Sequence, residues 1–168
     1  KDADAPIWID DVIENSSAIM LRKIVIYVSK GRHVDFVLQR KLLSNVSSNF
    51  VIEVVLDKGA HARIIDLSLK GAEDSCSMMH IRAQVKEEAH FAHYSATNGG
   101  ALYRTDFHVE LLGERSEADL RGVWMLDQKR TSHIDIRIEH KAENTRSNQH
   151  FKGILKDKSR STFDGKIY

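Results

Sequence analysis

The sequence predicts an all-β solenoid, a stack of parallel strands wound into successive coils. Three observations predict it. Apolar and polar residues alternate with period two along most of the chain, the pattern of half-buried strands. Apolar triplets recur at nearly constant spacing. No convincing helical stretch interrupts them, and proline occurs once, at Pro6.

The triplets come in chain order. Ile24, Ile26 and Val28 share one strand face, then Ile52, Val54 and Leu56, then Met79, Ile81 and Ala83. Phe107, Val109 and Leu111 follow, and Ile134, Ile136 and Ile138 close the series. The central residues Ile26, Val54, Ile81, Val109 and Ile136 are spaced 28, 27, 28 and 27 apart. A fixed period of this size marks stacked repeats, and a coil period of about 28 residues makes these five one internal ladder. Second strands fit between the triplets at 34–38, 63–69, 89–96 and 118–126. Their inward face is less cleanly apolar, so their register is open. Ala60, Ala89 and Ala118, each 29 apart, open the last three. The alternative is an antiparallel sandwich, for which Asn98-Gly-Gly100 is the best hairpin signal. Residues 1–20 read as an irregular entry segment and 21–168 as one continuous core domain.

Composition narrows function. The 168 residues carry 25 Lys and Arg against 24 Asp and Glu, which gives no global argument for nucleic-acid or membrane binding. One cysteine, Cys76, excludes an internal disulfide framework and any CxxC motif, and fits a cytoplasmic protein. No apolar run reaches membrane-spanning length. Phosphate-loop, dinucleotide and nucleophile-elbow motifs are absent, so no enzymatic activity is expected, and ATP hydrolysis would need a separate subunit.

Histidine is the residue type with most to offer. His33, His61 and His90 are spaced 28 and 29 apart, so they stack on successive coils near one corner. Such a column is either a set of solvated corner residues or a transition-metal site built of neutral imidazoles. His90 and His93 lie three apart on a strand and face opposite sides, which prevents a shared metal. Cys76, in a polar loop, is an ordinary thiol or a ligand for iron or sulfur. Glu53, His80, His108 and Asp135 form an outward column, with Arg82, Glu110 and Arg137 beside it, and read as cross-strand charge pairing. Trp124 either fills the coil interior or joins a partner surface.

The last third carries a family likeness. Its segments are Gly99-Gly-Ala-Leu-Tyr-Arg-Thr-Asp-Phe-His-Val-Glu-Leu-Leu-Gly113, Thr131-Ser-His-Ile-Asp-Ile-Arg-Ile-Glu-His140 and His140-Lys-Ala-Glu-Asn-Thr-Arg-Ser147. Phe151-Lys-Gly-Ile-Leu-Lys-Asp157 and Ser159-Arg-Ser-Thr-Phe-Asp-Gly-Lys-Ile167 follow. This resembles the SufB/SufD family of iron–sulfur cluster assembly proteins, and the last two segments look like SufD rather than SufB. The resemblance implies a right-handed parallel β-helix, a SufB-like paralogue and a SufC-like ATPase as partners, and an iron–sulfur cluster carried by the full complex rather than by this chain alone. A full-length member would continue past Tyr168 to a helical region with further functional residues, none of which map here. The expected role is a cytoplasmic scaffold that binds neither nucleic acid nor membrane and that pairs as a homodimer through residues after about Phe151. The rival reading is a β-helical carbohydrate-active enzyme, which would pool carboxylates on one sheet face; the outward columns mix signs instead.

Overall fold

The computed structural model describes residues 5–14, 19–43, 45–69 and 71–168. These form β1 (Ile7–Ile13), β2 (Ile19–Val28), β3 (His33–Leu42), β4 (Ser47–Leu56), β5 (His61–Ser68) and β6 (Cys76–Val85). The chain continues through β7 (His90–Thr97), β8 (Leu102–Leu111), β9 (Glu117–Leu126), β10 (Thr131–His140), β11 (Arg146–Leu155) and β12 (Arg160–Ile167). No helix occurs among the described residues. One sheet runs β1-β3-β5-β7-β9-β11 and the other β12-β10-β8-β6-β4-β2, with every pairing parallel. Consecutive strands alternate between sheets, so each coil contributes one strand to each. The result is a parallel β-helix.

The second strands expected at 34–38, 63–69, 89–96 and 118–126 are β3, β5, β7 and β9. The irregular entry expected over residues 1–20 is corrected in part. Ile7–Ile13 is a strand paired in register with Phe36–Leu42, because Ile9 and Ile13 continue the inward apolar columns of Leu38 and Leu42. Residues 1–4 and 15–18 of that segment lie outside the described residues.

The fifteen triplet residues all face inward. All are buried except half-buried Ile24. A fully buried aliphatic side chain of this kind contributes about 1.5–3 kcal/mol. The predicted ladder is wrong in register, however. Ile26 pairs with Val54 as expected, but Val54 pairs with Ala83, Ala83 with Val109, and Val109 with Ile138. The steps are 28, 29, 26 and 29 residues, and Ile138 to Ile167 adds another 29. Ile81 and Ile136 instead sit on the rung of Ile52 and Phe107. Ala118 likewise pairs with Phe91 rather than standing in line with Ala60 and Ala89.

The corners explain how coils of unequal length stay stacked. Gly31, Gly59, Glu88, Arg115 and Asn144 all take the left-handed conformation, with φ between 56° and 65°, at one recurring corner. Their amides reach the next coil, as in Gly59 N–H to the Glu87 carbonyl at 2.8 Å and Glu88 N–H to the Glu114 carbonyl at 2.9 Å. The ladder therefore continues around the bend and leaves few orphan backbone groups. Asn98-Gly-Gly100 is a corner between parallel strands and not a hairpin. Gly71 and Gly99 are required there because their backbones touch, and a Cβ on either would strike the other segment.

Candidate functional site

Three strands of one sheet begin on histidine. His33, His61 and His90 each follow the left-handed corner residue by two positions and stand in direct register, His33 against His61 and His61 against His90. Glu117 and then Arg146 continue the column. The His33 and His61 rings stack with centres 4.1 Å apart and planes 19° from parallel. His61 and His90 meet edge-on at 5.7 Å. His33 is exposed and the other two are half-buried. With Asp35, Arg63 and Tyr94 they line a surface groove of about 410 Å³, completed by Ala5 and Pro6 on the approach to β1. Arg63 and Asp35 are ion-paired beside it. Burial, then the adjacent His33 and His90 imidazoles, lowers the His61 pKa, against an opposing pull from Glu117. His61 is therefore neutral near pH 7 and its lone pair is available.

The other candidates fall apart or prove structural. His93 is fully buried while His90 faces the groove, so the two cannot share an ion. Cys76 opens β6, half-buried, with Ser47 and Leu102 on either side of it in the sheet and no second thiol in the chain. The outward charge columns are re-sorted by the true register. Glu53, Arg82, His108, Arg137 and Lys166 share one column, and His80, Asp106, Asp135 and Asp164 another. The true register stacks like charges along much of each column, and much of the pairing runs between columns instead, from Arg104 to Asp106, Arg137 to Glu139 and Lys166 to Asp164. His80 bonds Asp106 at 3.2 Å, and His108 bonds Glu139 at 3.0 Å. His108, Glu110 and Glu139 converge within 4.8 Å. Yet Lys141 bonds both carboxylates and Arg137 bonds Glu139, so cations of the protein already hold them. Lys141 foremost, then His108, pulls the Glu139 carboxyl down to about 2.

Sequence reasoning missed a polar cluster inside the coil. The Arg40 guanidinium donates to both carboxylate oxygens of Asp66, at 3.2 and 3.1 Å, and to Ser77 Oγ at 2.8 Å. Tyr103 O–H donates to Asp66 at 3.2 Å, and its ring lies under the guanidinium. All four residues are buried. His93, beside the edge of Phe107, has no partner on either ring nitrogen among the described residues. Burial, reinforced by Arg40 and opposed by Asp66, pushes its pKa down to about 4. The available signal was parity: Asp66 lies on the same strand face as Ala62 and Ile64, and Arg40 on that of Phe36 and Leu38. Trp124 fills the interior, packed over Gly153 and near Phe151.

Stacked coils and long parallel ladders define a parallel β-solenoid. The chain matches the family model for the SUF system FeS cluster assembly SufBD core domain over residues 12–168. It belongs to the SufBD core family, and with that family goes a role in SUF iron–sulfur cluster assembly. Neither a curated protein nor a solved structure gives a match to the chain.

Proposed function

We propose that the chain is a SufD-like scaffold subunit of the SUF machinery, acting with a SufB-like paralogue and a SufC-like ATPase in the cytoplasm. The family match over residues 12–168 carries this reading. The SufD-like wording of Lys152-Gly-Ile-Leu-Lys-Asp157 and Phe163-Asp-Gly-Lys-Ile167 favours SufD within it. The chain supplies surface and shape rather than catalysis, and the iron–sulfur cluster belongs to the complex.

Co-expression with tagged SufB and SufC candidates tests the assignment. The chain is expected to co-purify with both, and the complex to contain iron and sulfide. A SufB–SufC complex that retains no trace of the chain would overturn it.

A further inference from the structure

We propose that His33, His61 and His90 form a surface site for one divalent first-row transition-metal ion. The inference rests on the column itself and stands whether or not the SufD-like assignment does. Three imidazoles on three adjacent rungs are held by backbone hydrogen bonds, with His61 N–H donating to the Arg32 carbonyl at 2.8 Å and His90 N–H to the Ala60 carbonyl at 2.9 Å. The backbone is thus preorganised, and only side-chain torsions remain to be set. Parallel strands lie about 4.8 Å apart, within the span an imidazole covers by turning about its two side-chain torsions. His33 and His61 are now stacked, so their nitrogens lie side by side and need a rotation to converge. The open groove leaves room for that rotation and for water ligands.

The electrostatics favour an ion over three protons. The three rings stand on adjacent rungs, so each one that gains a proton repels the next. A metal binds the neutral rings and gives one shared charge in place of three competing ones. Glu117, on the rung beyond His90, adds a negative field along the column. Nitrogen ligands select zinc, cobalt, nickel, copper or iron over magnesium and calcium.

Cobalt(II) titration of the purified chain, followed by visible absorption and calorimetry, tests the site. One cobalt per chain is expected, with affinity reduced by more than about tenfold in both His61→Ala and His90→Gln. His150→Ala, off the column on β11, is expected to bind like the wild type. Circular dichroism checks that each variant retains its strands, and the conservative His90→Gln covers the case where His61→Ala fails to fold. Absence of binding by the wild type, binding unchanged in His90→Gln, or binding lost in His150→Ala would each overturn the proposal.

Discussion

His93 is the residue whose environment departs furthest from water. Unfolded, its imidazole takes a proton near the ordinary value of about 6.5; folded, it resists until about 4. Above pH 6.5 both states are neutral and the residue contributes no pH dependence. Between pH 6.5 and 4 the unfolded chain binds a proton that the folded chain refuses, so stability falls as the pH falls. Linkage sets this loss at about 3 kcal/mol across the window. Urea melts at pH 7, 5.5 and 4.5 are expected to show the decline, and His93→Leu is expected to flatten it. An equal decline in the variant would place the pH dependence elsewhere. The Arg40–Asp66 pair is a second test at this scale. Asp66→Ala leaves a buried guanidinium uncompensated and is expected to cost about 3–5 kcal/mol in urea denaturation, while Arg40→Met with Asp66→Leu restores much of the loss. A loss under 1 kcal/mol for Asp66→Ala would mean that water reaches Arg40. These groups were illegible in the sequence for a physical reason. Arg40 and Asp66 are 26 residues apart, and a charge on an inward position reads as broken alternation until its partner is located. The histidine column was legible because its three members repeat one residue type at the coil spacing.

Strands and corners show where pattern reading stops. Inward and outward faces were correct along every even strand from β2 to β10, because period two is a local property. Register was wrong at β6 and β10, where the expected partners are displaced by two residues. A shift of one would turn the whole strand inside out, whereas a shift of two leaves every side chain on its proper face. The hydrophobic pattern is blind to that second error. Only the corners decide it, and they carry glycine at Gly31 and Gly59 but Glu88, Arg115 and Asn144 at the equivalent left-handed positions. Gln128, with φ of 54°, holds a similar conformation at the opposite corner. Left-handed backbone costs a residue with a Cβ about 1 kcal/mol or more, most of all a β-branched one. Gln128→Val is therefore expected to lower stability by about 1–2 kcal/mol and Gln128→Gly to leave it unchanged or higher. Thermal melts that rank the two in the opposite order would contradict the turn geometry. In β11, Gly153 lies under the Trp124 indole, and Gly153→Val is expected to cost about 1–3 kcal/mol by overpacking, read as a lower urea midpoint.

For the molecule as a whole, the repeating architecture has a mechanical consequence. Among the described residues each strand's ladder partners are the strands one coil before and after it, and no strand pairing joins the first coil to the last. Stretched from its two termini, such a chain frays coil by coil instead of yielding all at once. Each coil of 26–29 residues pays out about 10 nm of slack. A single molecule held in an optical trap would record a staircase of nearly equal steps, with the shortest tread at the coil that runs from Ala83 to Val109.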